Sequence, residues 1–123
     1  MEVVTPAEVK RPSFAKFFDG KEPTTFIFED EQCVVFEEQI NKQAPVHFLV
    51  VPKRTINRLI EASIEDEKLL GHLLIIARRI AKQRGIEKSG FRVVINEGPH
   101  SCQTIDQFYV QVFGGRQMWW PFS

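Results

Sequence analysis

Cysteine is scarce in this sequence. Cys33 and Cys102 are the only two, too few and too far apart to suggest a disulfide framework or a C-x-x-C metal site, and both read as reduced thiols of an intracellular protein. No metal and no other cofactor is expected. An excess of charge of either sign is missing as well. With 16 basic residues against 16 acidic ones, nothing in the net charge points to nucleic acid or a membrane surface as partner. No apolar run approaches the roughly 20 residues of a membrane span, and the N-terminus lacks the apolar core of a signal peptide. Internal repeats and low-complexity segments are absent too. The expectation left standing is a soluble globule in the cytoplasm, the nucleus or both.

The 123 residues, 43% of them hydrophobic, suffice for one domain with a single core. Residues 1–12 hold two prolines and little apolar periodicity and read as a mobile arm, leaving 13–123 as the domain. A short helix is expected from Ser13 to Phe18, ended by Asp19-Gly20. Phe26–Phe28 and Cys33–Phe36 read as a β-hairpin across residues 29–32, and Val46–Val51 as an apolar strand stopped by Pro52. A long helix is marked by Ser63 and Asp66 as an approximate capping box and by Gly85 after its last turn. Between them Leu69, Leu70, Leu73, Ile76, Ala77, Ile80 and Ala81 recur at helical spacing. Arg78, Arg79, Lys82 and Arg84 form a solvated basic flank that complements the negative end of the macrodipole. Phe91–Asn96 is a fourth strand. Five strands with one long and one short helix predict an α+β domain, an antiparallel sheet covered on one face by helix.

The fifth strand, Ile105–Phe113, carries the functional question. It alternates Phe108, Val110 and Val112 on one face with Gln107, Tyr109 and Gln111 on the other. Around it, A-P-V-H-F-L-V-V-P-K at 44–53, L-L-G-H-L at 69–73, V-V-I-N-E-G at 93–98 and V-F-G-G-R-Q-M-W-W-P at 112–121 resemble the HINT branch of the histidine-triad (HIT) superfamily. The resemblance runs over residues 13–121. It implies a HIT-like fold and a dimer in which two sheets join into one. The surface implied for that dimer is Val93–Ile95 with the Leu69, Leu73 and Ile76 helix face, and a tail bearing Trp119 and Trp120 that reaches towards the partner. It also implies that the terminal strand should read H-x-H-x-H, the middle histidine attacking the α-phosphate of a nucleotide. Gln107, Tyr109 and Gln111 stand there instead.

Those replacements argue against the family reaction. Imidazole serves as nucleophile and proton carrier because its pKa is about 6.5, whereas a phenol ionises near 10 and amides do not titrate. No catalytic residue is therefore assigned. His47 matches the family's first conserved histidine and reads either as a ligand-orienting group or as a satisfied interior histidine; His72 reads as structural. His100, after Gly98-Pro99, is the one candidate for an opportunistic acid or base. The competing expectation is a residual or altered nucleoside phosphoramidase or nucleotidyl hydrolase using Tyr109 or His100. A deliberate triad knock-out of an active protein is opposed by the scattered changes at Asp106, Phe108 and Trp119.

By resemblance, Phe14, Phe17, Phe36 and Ile40 match the purine pocket, although plain core is the reading their apolar character alone supports. Glu38 is the candidate for the ribose contact, on a loop one residue longer than the family pattern. Asn96 and Thr104 match the phosphate contacts, with Cys102 standing where a glycine amide would approach the phosphate and Pro99 stiffening the loop. Together with Tyr109 and Gln111 these residues imply a weakened site for a purine nucleoside monophosphate. The implied partners are a second copy of the chain, giving a homodimer, and an active HINT paralogue, giving a heterodimer.

Overall fold

The structure, a computed structural model, describes residues 14–18, 20 and 25–119. The expected arm at 1–12, Ser13, Asp19 and Trp120 lie outside these residues. Five antiparallel strands form one sheet: β1 (Phe28–Glu29), β2 (Cys33–Glu37), β3 (Val46–Pro52), β4 (Phe91–Val94) and β5 (Val110–Gly114), in the order β1-β2-β3-β5-β4. One helix, α1 (Glu67–Gln83), crosses it, and the short N-terminal helix is a single 3-10 turn, Ala15–Phe17. No helix among the described residues is long and apolar enough to cross a membrane.

The helix begins where the capping signal lies. The Asp66 carboxylate accepts the Ser63 backbone N–H at 2.9 Å, but the first turn, Ile64–Asp66, is 3-10, so α1 proper starts at Glu67. Arg54 pairs with Asp66 at 2.7 Å, which compensates the burial of that carboxylate. Leu73, Ile76, Ala77, Ile80 and Ala81 are buried against Phe48, Val50, Val110 and Val112. Each large aliphatic side chain so removed from water contributes on the order of 1.5–3 kcal/mol. At the far end Arg84 reaches Glu37 of β2 at 2.6 Å, tying the basic flank to the sheet.

Three expectations need correction. The terminal strand is shorter than Ile105–Phe113: the ladder starts at Val110, because Gln107 N–H turns back to the Ile105 carbonyl at 2.8 Å and Phe108 N–H goes to the Ile56 carbonyl at 2.6 Å. Alternation persists through this bent stretch even though pairing does not. Helix also does not cover the sheet alone. On the opposite face Phe14, Phe17 and Phe18 pack on Val34, Phe36, Leu49 and Val51, so β2 is buried on both sides. Finally, Leu73 and Ile76 are core and unavailable to any partner; the apolar residues that α1 exposes are Leu74 and Ile75, both 50% accessible.

Candidate functional site

The aromatic layer covers β2 and part of β3 on that second face. Beside it, over β3 and β5, lies a cleft of about 650 Å³. Period-two alternation puts Tyr109, Gln111 and Phe113 on its floor, and His47 comes up from β3 opposite Phe113. Phe17, Ile40 and Ile105 supply apolar walls, while Glu38, Asn96, Cys102 and Thr104 bring polar groups. A hollow of about 420 Å³ continues it past Gln43, Asn96, Gln111 and Phe113 to Arg92, Arg116 and Met118. Both volumes lie in the range of small-molecule sites.

At the centre sits one imidazole whose two nitrogens are engaged. His47 Nδ1 accepts the Gln43 backbone N–H at 3.1 Å, which makes Nε2 the protonated nitrogen, donating to Gln111 Oε1 at 2.9 Å. The ring also stacks on Phe113 at 4.1 Å. Burial lowers the His47 pKa, against weaker opposing effects from Gln111 and the nearby glutamates, so the ring is neutral at pH 7. Tyr109 stands edge-on to Phe17 at 5.0 Å, and burial, with the Glu38 charge, pushes its phenol above 10. Glu38 itself turns back onto its own loop, accepting the Ile40 and Asn41 backbone N–H groups at 3.1 and 3.4 Å.

Not every expected residue reaches the cleft. Phe14 and Phe36 do not line it. They lie in the aromatic layer behind Phe17, the Phe14–Phe36 and Phe17–Phe36 rings 6.2 and 5.6 Å apart, so for these two the plain core reading holds. Gln107 does not line it either: it is buried, its amide nitrogen without a partner among the described residues. His100 is exposed in a 3-10 turn, Pro99–Ser101, and is not among the lining residues. That turn is closed on itself. Gly98 has φ +78°, Cys102 takes the left-handed conformation at φ +68°, and the Cys102 amide is already given to the Pro99 carbonyl at 3.1 Å. The donor a bound anion would need from that position is spent inside the loop.

Lys16, Asn41, Gln43, Ile105 and Phe113 line the cleft and were not foreseen. Phe113 was within reach, since extending the Tyr109–Gln111 alternation by two residues finds it. Gln43 acts through its backbone, which no side-chain pattern reveals.

The HIT domain pattern matches residues 19–118. The chain belongs to the HIT domain family. It is 42% identical to an uncharacterized HIT-like protein of Synechococcus elongatus, over 88% of this chain and 93% of that one. A 14 kDa zinc-binding protein of Zea mays is 43% identical over 88% of this chain and 84% of its own length. Among solved structures, a HIT family hydrolase from Legionella pneumophila superposes with a TM-score of 0.80 at 34% identity, covering 89% of this chain and 97% of that one. This HIT domain thus has a hydrolase-like fold, with Tyr109 and Gln111 on the floor of its cleft and Gln107 buried outside its lining.

Proposed function

We propose that this HIT domain is a catalytically inactive, HINT-like protein that holds a purine nucleoside monophosphate weakly and works by association with other HINT-type chains. One observation carries the reading: no group at the cleft centre both attacks phosphorus and changes protonation near neutral pH. The Tyr109 phenol is pushed above its ordinary value, Gln111 is an amide, and His47 is neutral and hydrogen-bonded through both nitrogens. Loss of a nucleophile that acts in concert with a proton carrier costs on the order of 10⁶ in turnover. The cleft keeps apolar walls of Phe17, Ile40 and Ile105 for a base and Asn96 and Thr104 for a phosphate, which supports residual binding. The Cys102 amide committed to Pro99 supports its being weak.

Zinc, named in the Zea mays relative, does not suit this cleft. Its one imidazole has no free nitrogen, amides and a raised phenol are not ligands of choice, and the Glu38 carboxylate and Cys102 thiol in its lining do not converge with a third ligand among the described residues.

The test is paired. Adenosine phosphoramidate turnover by the purified chain is expected at background, while calorimetric titration with AMP or GMP shows weak, saturable heat. Turnover that survives further purification and disappears in Tyr109→Phe would overturn the inactive reading in favour of an altered phosphoramidase. A HINT-like scaffold without its triad resembles the W-chromosome-linked paralogue of birds, and that resemblance motivates the heterodimer with an active HINT chain. A cytoplasmic or nuclear location follows from the same reading, and cell fractionation tests it.

A further inference from the structure

On the helix side of the sheet, separated from the cleft by the strands themselves, three metal-ligating side chains converge. Asp30 lies in the β1–β2 turn, Cys33 is the first residue of β2, and His72 projects from α1. One ligand atom from each lies within 4.8 Å of the other two, the one such group among the described residues. The Asp30 carboxylate is held in a fixed plane. Its Oδ1 accepts the backbone N–H groups of Gln32 and Cys33, both at 2.8 Å, which leaves Oδ2 to face His72 Nε2 at 2.7 Å. Cys33 is fully buried, whereas the His72 and Asp30 side chains are 27% and 28% accessible, so the cluster has an apolar floor and a solvent-facing mouth.

We propose that Asp30, Cys33 and His72 form a binding site for a zinc-class divalent cation, with Cys33 Sγ, His72 Nε2 and Asp30 Oδ2 as protein ligands and solvent as the fourth. The donor set decides the class. One thiolate, one imidazole and one carboxylate suit zinc or cobalt, whereas magnesium and calcium select oxygen donors. Bond lengths of about 2.0–2.3 Å in a tetrahedral arrangement put ligand atoms roughly 3.3–3.6 Å apart. The Asp30–His72 contact must open by about half an ångström on that geometry, and the thiol must move in by up to about one. The two backbone N–H groups on Oδ1 orient the carboxylate for this, as hydrogen-bond partners of metal-bound carboxylates do. On loading, the Cys33 thiol proton and any proton shared between His72 and Asp30 leave to solvent. Thiolate and carboxylate then balance the two positive charges of the ion. Such an ion would clip the β1–β2 turn to α1, and protein that binds it only when folded gains thermal stability.

The competing description is an ordinary His72–Asp30 ion pair above a buried thiol. Metal-stripped full-length chain titrated with Zn²⁺ against a chromophoric chelator, and with Co²⁺, separates the two. Expected are one equivalent bound per chain and a near-ultraviolet thiolate-to-cobalt absorption that persists in Cys102→Ser and vanishes in Cys33→Ser. A melting temperature that rises with Zn²⁺ is also expected. Because a hydroxyl at Cys33 can unfold the core, His72→Gln, on the half-exposed helix side, is the second variant: it should weaken Zn²⁺ at least about tenfold, the lower end of what even an outer partner of a metal ligand is worth. A cobalt complex without thiolate absorption, or Zn²⁺ affinity unchanged in His72→Gln, overturns the site.

Discussion

Two residues of the cleft hold unusual states, and each has a measurable consequence. His47 is buried with its pKa lowered from 6.5 chiefly by desolvation. A histidine that resists protonation in the folded state binds fewer protons there than in the unfolded chain, so acid favours unfolding. Stability is fully present above pH 6.5 and is lost as pH falls below that value towards the lowered folded pKa. His47→Gln is expected to be less stable at pH 7, through lost stacking on Phe113, but to show a flatter decline between pH 6.5 and 5. Urea titrations of both chains across that range check it; parallel declines would place the acid sensitivity elsewhere. Cys102, at φ +68°, is the one left-handed residue other than glycine among those described. That conformation costs a side-chain-bearing residue about 1–2 kcal/mol, of which glycine returns part through its freer unfolded chain. Cys102→Gly should therefore stabilise the protein by about 0.5–1 kcal/mol, read as a shift of the urea midpoint at unchanged slope. It should also free the loop to present its amides, tightening AMP in calorimetry.

Strand β5 is where side-chain pattern, backbone and neighbouring elements meet. Gly114 ends it opposite Val46 and Phe91, and a Cβ there would lie 2.6 Å from Ile86 Cδ1 and 3.3 Å from Ile86 Cβ. Ile86 is buried in the segment that follows α1, so the strand end and the helix exit approach through this missing side chain. Gly114→Ala should destabilise by about 1–3 kcal/mol, the usual cost of overpacking, again measured by urea unfolding. Other parts of the element structure were legible beforehand. The 3.6-residue repeat from Leu69 to Ala81 and the Ser63–Asp66 pair gave α1 within one turn, and a near-continuous apolar run gave β3. What misled was alternation without pairing: residues 105–109 keep a two-residue repeat, but the Ile56 carbonyl takes the Phe108 amide out of the ladder. At the cleft, Asn96, Thr104, Tyr109 and Gln111 were expected from the family resemblance and line it, whereas polar Lys16, Asn41 and Gln43 line it without a motif to mark them. It was illegible for phenylalanines, because the wall of a cavity and the core behind it select the same side chains, and only packing distinguishes Phe17 from Phe14 and Phe36.

At the scale of the whole molecule, one apolar surface among the described residues combines a sheet edge with the helix beside it. β4 is an edge strand of the sheet, and Phe91 and Val93 on it and Ile95 just after it are 36%, 40% and 38% accessible. Leu74 and Ile75 of α1 are exposed as well, a two-element apolar surface of the kind that marks an association site. The C-terminal tail extends it: Arg92 of β4 donates to the Trp119 backbone carbonyl at 3.1 Å, and the Trp119 side chain is 66% accessible. A two-fold pairing of β4 with β4 would cover both edges at once and is self-complementary by symmetry. The prediction is a homodimer at micromolar concentration by light scattering, and a mixed dimer when an active HINT chain carrying a tag is co-expressed. None of the cleft substitutions lies on this surface, so the two chains would present matching edges. Val93→Lys puts a charge on the edge strand without entering the core and is expected to weaken dimerisation at least about tenfold, or 1.4 kcal/mol, while leaving AMP titration of the cleft unchanged. A wild-type monomer at that concentration removes the basis for both assemblies. A homodimer that Val93→Lys does not weaken moves the interface off β4, and a homodimer that never exchanges with the active chain leaves association intact but ends the proposal that this protein acts by capturing a HINT partner.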